Sequence, residues 1–479
     1  MNDVLARLRE LQEGDLPTHG GSTLAYVYDS GLAEADEIGR AALAQYGATN
    51  GLDPTVFPSL RTLENDLVGW AARLLNGSSA VGTVTSGGTE SVLLAVQAAR
   101  DAGRAASPTS SPRPVSSPTM VIPATAHAAF HKAAHYFGVR AIVVDVDPVT
   151  FTPDPAAMAA AIDDSTVLVV ASAPSYAHGV VDPVREIAAV AADRGVRCHV
   201  DACIGGWILP YLRLDGIAVP DFDFAVPGVT SISVDLHKYA YTPKGASILL
   251  HRDASLRKAQ FFASADWPGY TMLNSTMQST KSGAPIAAAW AVVQHIGDSG
   301  YRQLARAAHT ATLELARRAA EIDGLSVVAA PATTLVALRS DARTDIFTIA
   351  DEMAAVGWFV QPQLSYRGQP PSLHLTVSAA TATRLDELVD ALTTATQAAQ
   401  KSGPVQIAPE LAAAASAIDP STLDDAAFDG LLSIAGLGDA AGGSLPERMG
   451  PVNALLDVAP PPLREALLIA FLDRLMRPA

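Results

Sequence analysis

The chain has 479 residues, of which 49% are hydrophobic and 17% charged, and its formal net charge is −16 at pH 7. This length predicts two or three domains, and the negative charge argues against nucleic acid or an anionic membrane surface as a general partner. The two cysteines, Cys198 and Cys203, are too few for a disulfide framework. The apolar runs are too short to span a membrane and the first residues do not resemble a signal peptide, so we expect a cytoplasmic protein without a membrane span.

Helix and strand patterns divide the chain into four regions, of which the first two end at residue 299. Residues 1–60 are predicted to form an N-terminal arm with a turn at Gly20-Gly21 and a helix that ends near Tyr46. Between residues 61 and 299, strand-like and helical patterns alternate, which predicts a large α/β domain with a mainly parallel seven-stranded sheet. The predicted strands are 81–85, 120–123, 140–146, 166–172, 196–201, 231–235 and 246–250. In such a sheet, ligands bind at the carboxyl ends of the strands.

The remainder is predicted as a smaller domain and a tail. Residues 300–402 predict a small C-terminal α/β domain, with helices at 301–321, 344–355 and 381–400 and strands near 325–338 and at 372–377. A preceding helix is predicted at 285–296. Residues 403–479 are Ala-rich and predict a helical C-terminal extension. A Ser/Pro-rich stretch, 107–119, cannot build a core, so it is predicted to be a flexible surface insertion between a helix and the next strand.

A glycine pair follows the first predicted strand. Gly87, Gly88 and Thr89 stand between this strand and a helix, so their backbone N–H groups can approach an anion with the helix dipole behind them. A plain turn with a Ser/Thr cap gives the same letters. The spacing is not that of a dinucleotide or Walker loop, which favours a single phosphate.

Three further residues stand at predicted strand ends. Lys238 follows the strand 231–235 between His237 and Tyr239, the setting of a Schiff-base lysine, although most lysines are surface charges. Asp201 at the end of its strand is costly to bury without a positive partner such as a protonated pyridine nitrogen, unless it only caps a helix. His127 opens a helix after a strand, where its ring can cover a planar ligand or only cap the helix. Together these residues indicate a pyridoxal phosphate enzyme.

The sequence resembles a known family of pyridoxal phosphate enzymes. It is similar to the sphingosine-1-phosphate lyase branch of the fold-type I, group II decarboxylase-like pyridoxal phosphate enzymes, most closely over residues 45–300. The segments that carry the resemblance are TSGGTES (85–91), TAHAAFHKAAHYFG (125–138), SAPSYAHGVVDPV (172–184), HVDACIGGW (199–207), SVDLHKYAYTPKGAS (233–247) and GAPIAAAWA (283–291). The Lys238 and Asp201 motifs are specific, whereas the Gly-Gly loop alone is not.

The resemblance implies roles for individual residues. Lys238 would form the internal aldimine, Asp201 would keep the pyridine nitrogen protonated and His127 would stack on the ring. The cofactor would also be bound by Gly87, Gly88, Thr89, Ser172 and His237. Tyr270 and the loop 279–283 would reach the site of a neighbouring subunit, which implies a homodimer with shared active sites. Candidate substrate contacts are Asn50, Asp53, His178, Tyr239, Tyr241, Lys244 and Lys281, and no metal site is expected.

Two departures from the family pattern concern the substrate. The family usually has Asn-Pro-Leu-His-Pro where this chain has Asn50-Gly51-Leu52-Asp53-Pro54, and Asp53 would repel a substrate phosphate that the histidine helps to hold. The family's arginine is replaced by Lys281, which keeps the charge but loses the bidentate geometry. The resemblance favours cleavage of a carbon–carbon bond to give an aldehyde and an amine. Decarboxylation of an amino acid, or cleavage of an unphosphorylated β-hydroxy amine or amino acid, stays open, as do an aminotransferase that uses Arg367 and a catalytically silent scaffold.

Overall fold

A computed structural model describes residues 2–105, 117–407, 418–420, 423–434 and 446–478. The Ser/Pro-rich stretch 107–119 lies almost entirely outside these residues, so its assignment as a surface insertion stays a prediction. Within the described ranges, no helix is long and apolar enough to cross a membrane.

A seven-stranded sheet forms the centre of the large domain. Its strands are β1 (Val81–Thr85), β2 (Thr119–Pro123), β3 (Arg140–Val144), β4 (Thr166–Ser172), β5 (Arg197–Asp201), β6 (Val229–Asp235) and β7 (Ser247–His251). They lie in the order β1-β7-β6-β5-β4-β2-β3, and only β7 runs antiparallel to its neighbours. This confirms the predicted mainly parallel sheet and brings the carboxyl ends of the other six strands to one edge.

Helices cover both faces of this sheet, which is why its strands read as continuous apolar runs rather than as alternating ones. All seven residues of β4 are buried, for example. The helices up to the domain border are α1 (Asn2–Leu11), α2 (Ala33–Tyr46), α3 (Pro58–Leu74), α4 (Gly88–Arg104), α5 (Ala129–Phe137), α6 (Pro155–Ala160), α7 (Val184–Asp193), α8 (Leu209–Leu214), α9 (Ala254–Arg257) and α10 (Ala284–Ala319). Two short strands, β8 (Phe262–Ser264) and β9 (Met272–Asn274), form a separate antiparallel hairpin.

The small domain is an antiparallel sheet covered by helices. Its strands β10 (Leu325–Val327), β11 (Leu335–Ser340), β12 (Gln361–Gln363) and β13 (Ser372–Thr376) lie in the order β10-β11-β13-β12. Its helices are α11 (Ile346–Ala355), α12 (Ala379–Ala382) and α13 (Leu385–Ser402). The two helices predicted at 285–296 and 301–321 are one run, α10, kinked at Gly297, whose φ of 61° lies in a region that glycine enters without strain.

The N-terminal arm and the C-terminal extension both pack against the small domain. Thr23 pairs with Phe359 as an isolated bridge, and Leu24 is buried in the small-domain core. In the extension, the described helices are α14 (Asp425–Ile434), α15 (Gly450–Val458) and α16 (Pro461–Leu475), and α15 packs on α11. The predicted domain borders themselves stay predictions.

Candidate active site

Three neighbouring strand ends bring Ser172, Asp201 and Ser233 together. In the register of the sheet, Asp201 on β5 lies opposite Ser172 on β4 and Ser233 on β6. Asp201 is buried, and its Oδ1 accepts a hydrogen bond of 3.1 Å from the backbone N–H of Cys203. The buried carboxylate thus sits at the carboxyl edge of the sheet, as its sequence position predicted.

A cavity of about 430 Å³ opens at this edge, and most of the predicted cofactor residues line it. Its walls are Ser86, Gly87, Gly88, Thr89, Glu90, Val92, His127, Ser172, Pro174, Tyr176, Asp201, Cys203, Ile204, Asp235, His237 and Lys238. We call it the cofactor cavity. Residues that are far apart in sequence meet here because β1, β2, β4, β5 and β6 all end at the same edge.

Lys238 forms an ion pair at the floor of the cofactor cavity. Its Nζ lies 2.9 Å from Oδ2 of Asp235, three residues earlier in the turn that follows β6. Burial, the largest effect, disfavours the ammonium, but Asp235, together with smaller contributions from Tyr28, Cys203 and Asp201, outweighs burial and raises the pKa of Lys238 well above its usual value. Without a cofactor, Lys238 is therefore a protonated amine with a fixed counter-ion.

The glycine loop approaches the same aspartate. A Cβ atom at Gly88 would lie 2.6 Å from Oδ2 of Asp235 and 2.9 Å from Sγ of Cys203, so a side chain there would fill the cavity. Glu90 fixes the loop, since its Oε2 accepts hydrogen bonds from the Ser86 backbone N–H at 2.6 Å and from the Ser86 hydroxyl at 2.8 Å. The loop is held open for a ligand by Gly88 and held in shape by Glu90.

His127 stands just before α5, on the rim of the cofactor cavity. Its Nδ1 accepts a 3.2 Å hydrogen bond from the backbone N–H of Ala129. In the neutral ring, this contact places the proton on Nε2. This hydrogen bond caps the start of the helix, which is one of the two roles expected for His127 from the sequence. It also orients the imidazole ring at the cavity.

The residues present fit pyridoxal 5′-phosphate. The Ser172 hydroxyl and Nδ1 of His237 are buried polar atoms without a hydrogen-bond partner among the described residues, and both residues line the cofactor cavity. A bound group that offers a phosphate and a ring hydroxyl would satisfy donors of this kind. Burial, the largest effect, lowers the pKa of His237, so its ring is a neutral hydrogen-bonding group rather than a second cation.

A second cavity of about 660 Å³ adjoins the first between the large and small domains. Its walls include Thr125, His127, Asp145, Phe151, Tyr176, His178, Gln363, Tyr366, Arg367 and Gln369. His178 stacks on Phe151 with ring centroids 4.1 Å apart, and burial lowers its pKa to about 4. The guanidinium of Arg367 pairs with Asp145.

Lys244, one of the predicted substrate contacts, follows Lys238 by six residues and contacts the backbone beside it. Its Nζ donates hydrogen bonds to the backbone carbonyls of Tyr26 (2.8 Å) and His237 (3.3 Å) and lies over the Tyr28 ring. Burial and the charge of Lys238 lower the pKa of Lys244 to about 8, although part of its side chain stays exposed. The structure thus places a cation beside the cofactor cavity.

Asn50, Asp53 and Lys281 lie outside both cavities. Asp53 is exposed, and its Oδ1 accepts hydrogen bonds from the backbone N–H and the hydroxyl of Thr55. Lys281 is buried and its Nζ lies 2.7 Å from Oε1 of Glu64. Asn50 accepts a 3.2 Å hydrogen bond from the Lys281 backbone N–H. Within this chain, neither charged side chain of this group faces the cofactor cavity.

The tyrosines singled out in the sequence divide into two groups. Tyr239 and Tyr241 are buried, and their hydroxyls contact the small-domain backbone at Val377 and Ala379. Tyr270 lies between β8 and β9 and is 56% exposed, away from both cavities of its own chain.

Sequence reasoning did not single out Asp235, Glu90, Tyr28, Tyr176 or His374. Asp235 and Glu90 carry a local signal, because Asp235 lies three residues before Lys238 and Glu90 directly follows Thr89. Tyr28 and His374 come from the arm and the small domain, and no spacing in the sequence reveals their contact with the large domain.

Comparisons with known proteins agree with this geometry. Residues 33–341 match the pyridoxal-dependent decarboxylase conserved domain, and residues 409–474 match a C-terminal putative HTH domain of pyridoxal-dependent enzymes. Sphingosine-1-phosphate lyase of Dictyostelium discoideum is 36% identical over 378 residues, which is 79% of this chain and 69% of that protein. A probable L-tyrosine/L-aspartate decarboxylase of Methanothermobacter thermautotrophicus is 32% identical over 74% of this chain and 92% of its own length.

A solved structure is similar over most of the chain. Sphingosine-1-phosphate lyase of Burkholderia pseudomallei superposes with a TM-score of 0.77 at 33% identity, covering 84% of this chain and 91% of that one. The chain spans about two thirds of its eukaryotic relatives, 69% of the Dictyostelium lyase and 64% of the lyase of Rattus norvegicus.

Proposed function

Because the chain belongs to the pyridoxal-dependent decarboxylase family, in its sphingosine-1-phosphate lyase branch, we propose that it cleaves the Cα–Cβ bond of a phosphorylated long-chain β-hydroxy amine. The chain is a pyridoxal phosphate-dependent lyase. When bound, the cofactor supplies an electron sink for the bond that breaks at Cα. In the proposed reaction the β-hydroxyl loses its proton, Cβ leaves as an aldehyde, and Cα gains a proton to give phosphoethanolamine.

Different residues of the cofactor cavity would bind different parts of the cofactor. Lys238 would bind it covalently, and Asp201 would hold the proton on its ring nitrogen. Gly87, Gly88 and His237 would receive its phosphate, at the N-terminus of α4. His127 would cover the ring from the rim.

The observation that carries the choice of reaction is the pairing of Arg367. It is the only arginine that lines either cavity in the described part of the chain, and it forms an exposed ion pair with Asp145. A substrate α-carboxylate needs a free cation or several donors when it is buried. An amine without a carboxylate needs none, which favours an aldehyde-lyase over an amino-acid decarboxylase.

Lys244 supports a phosphorylated substrate. Among the described residues, no carboxylate forms an ion pair with Lys244, whereas Lys281 is paired with Glu64. The amine substrate would then lie with its nitrogen towards Lys238 and its phosphate towards Lys244.

The first experiment is product detection by mass spectrometry with the cofactor-loaded enzyme and a phosphorylated long-chain amino alcohol. We expect a long-chain aldehyde and phosphoethanolamine, and neither product with a Lys238→Ala variant. A loaded wild-type enzyme that releases neither product would contradict the proposal. Release of CO2 from tyrosine or aspartate would instead support decarboxylation, the second candidate, which the decarboxylase similarity at 32% identity favours.

We also propose that the protein is a homodimer with shared active sites. The β8–β9 hairpin and its flanks expose six large apolar side chains within residues 261–277, namely Phe261, Phe262, Trp267, Tyr270, Leu273 and Met277. Clustered exposure of this kind is typical of a protein interface. The same segment contains Tyr270, the residue predicted to reach the neighbouring site.

A further inference from the structure

Tyr176 lies where the cofactor cavity and the second cavity meet. It follows β4 in the segment 172–184, and among the residues that line the two cavities only His127 and Tyr176 line both. It is also the only tyrosine among the described residues of the cofactor cavity. A substrate held at Lys238 in the cofactor cavity would therefore have this phenol in the cavity wall, whereas Tyr28, a second tyrosine near Lys238, does not line the cavity.

Aromatic contacts from two domains fix the ring of Tyr176. His374 on β13 stacks on it with ring centroids 4.0 Å apart and an interplanar angle of 19°. His127 meets it edge-on at 6.2 Å and 84°. His374 is fully buried, its Nε2 lies 2.9 Å from the Thr376 hydroxyl, and burial lowers its pKa to about 3, so the stack is between neutral rings.

The hydroxyl of Tyr176 is free. It makes no hydrogen bond to another residue in the described ranges, in contrast to the hydroxyls of Tyr239 and Tyr241. Burial, followed by the neighbouring Tyr28 and Tyr26, raises its pKa, and the charge of Lys238 opposes this only in part. The phenol therefore keeps its proton at physiological pH and can both donate and accept.

These features suit the recognition of a hydroxyl group. An uncharged donor on a clamped ring loses little rotational freedom when it binds, and a site built around such a donor discriminates strongly against an analogue without the hydroxyl. The carbon that carries the hydroxyl in the proposed substrate is the one next to the amine-bearing carbon, and Tyr176 and Lys238 line the same cavity.

We propose that Tyr176 is a specificity-determining residue whose phenol hydroxyl forms a hydrogen bond with the β-hydroxyl of the amine substrate. This inference rests on the proposed function. The ring clamp by His374 positions the hydroxyl, and removing the hydroxyl alone leaves the stack intact.

The test compares two ligands of the holoenzyme, a phosphorylated long-chain β-hydroxy amine and its 3-deoxy analogue. Their dissociation constants are measured from the change in cofactor absorbance in a stopped-flow instrument, within the first turnover. We expect Tyr176→Phe to lower the preference for the hydroxylated ligand by about three- to tenfold, the value of one neutral hydrogen bond. Affinity for the cofactor should not change.

Tyr366→Phe is the matched control, because Tyr366 lines only the second cavity. It should keep the wild-type preference. A Tyr176→Phe enzyme with the wild-type preference, or an equal loss in Tyr366→Phe, would overturn the inference. Failure of the wild-type enzyme to release aldehyde would instead contradict the proposed function, so the two failures are distinguishable.

Discussion

Asp235 sets the charge of the cofactor lysine before any cofactor arrives. Its Oδ2 lies 2.9 Å from Nζ of Lys238 and at the place that a side chain on Gly88 would occupy. Burial, the largest effect, raises the pKa of Asp235, but the charge of Lys238 and the hydrogen bonds from Ser247 and Lys238 help to lower it overall. A buried pair of this kind keeps both groups charged, whereas covalent attachment to an aldehyde needs the neutral amine.

Removing the carboxylate charge should therefore change the pH at which Lys238 reacts. The pKa of Lys238 is raised, so the free amine appears only as the pH rises through that value. In Asp235→Asn the counter-ion is lost and the pKa of Lys238 falls, so covalent attachment should be faster at pH 7 and its midpoint should lie at lower pH. The measurement is the rate of borohydride-trapped attachment of pyridoxal phosphate between pH 6 and pH 10.

A matched control is Asp298→Asn, which removes a carboxylate that lines neither cavity described above. Its midpoint should equal that of the wild-type enzyme. An unchanged midpoint in Asp235→Asn would show that the ion pair does not govern the reactivity of Lys238.

Lys244 should make phosphate recognition sensitive to pH. Its pKa is lowered to about 8, so the ammonium that attracts a phosphate is present below that pH and is lost as the pH rises through it. A phosphate monoester is a dianion above about pH 6, and so binding should be best between about pH 6 and pH 8. We expect the KM for the phosphorylated amine to rise about tenfold from pH 7 to pH 9, the scale of one charge-assisted contact.

Lys244→Arg tests this assignment, because a guanidinium stays charged throughout that range. Its KM should be nearly flat between pH 7 and pH 9, whatever its absolute value. If the variant shows the same rise as the wild-type enzyme, another group titrates and Lys244 does not hold the phosphate.

At the scale of elements, the sequence predicted the large sheet closely. The strand predicted at 81–85 is β1, and the other six differ from the observed strands by at most two residues at an end. The reason is physical: strands buried on both faces are short apolar runs, and each is bounded by turn residues. Their carboxyl ends meet at one edge, and Gly88, His127, Asp201 and Lys238 line one cavity there.

The side-chain contacts that could not be predicted from the sequence are those between segments that are distant along the chain. The sequence position of Lys281 resembles that of a substrate-binding cation, but its ammonium forms an ion pair with Glu64 on α3. Asp53 forms a turn with Thr55 instead of facing a ligand. His374 reaches the site from β13 only because the small domain packs there. No local pattern encodes any of these partners.

Glu90 links the glycine loop to the segment next to the β8–β9 hairpin. One of its carboxylate oxygens holds the glycine loop of the cofactor cavity through Ser86, and the other accepts a 2.8 Å hydrogen bond from the backbone N–H of Met277, next to the β8–β9 hairpin. A single buried side chain thus ties the cofactor loop to the segment proposed to cross between subunits. The sequence showed both segments but not this connection.

The C-terminal extension packs on the small domain and carries more acidic than basic residues. Between residues 403 and 479 there are four arginines and ten acidic residues. Arg474 and Arg477 pair with aspartates, and a surface of this charge would repel a phosphate backbone. The carboxylate of Asp351 on α11 accepts hydrogen bonds from the backbone N–H groups of Met449 and Gly450 at the start of α15.

The extension also reaches the second cavity. Asp457 on α15 accepts a 2.5 Å hydrogen bond from the backbone N–H of Ser365, next to Leu364 and Tyr366 in the cavity wall. The described part of the extension therefore braces a loop of the active-site region from outside. This gives it a structural role in the whole molecule that needs no further ligand.

For the whole molecule, the proposed homodimer makes a sharp prediction about complementation. If Tyr270 of one subunit completes the site that contains Lys238 of the other, Lys238→Ala and Tyr270→Ala enzymes are each inactive as homodimers. Mixed dimers contain one site with both residues intact, so co-expression of the two variants should restore about a quarter of the wild-type activity, as expected for random pairing in a two-fold dimer. The measurement is aldehyde release, with the mass in solution determined by light scattering.

Tyr136→Ala is the control for the exposed tyrosine, because Tyr136 on α5 is 59% exposed and lies outside the β8–β9 hairpin. This variant should be active by itself, since a loss of exposed aromatic surface alone does not remove a group from the site. Complementation without a dimeric mass, or a dimer in which Tyr270→Ala keeps full activity, would contradict shared sites. A monomeric active enzyme would show that both cavities are complete within one chain and that the apolar hairpin serves another contact.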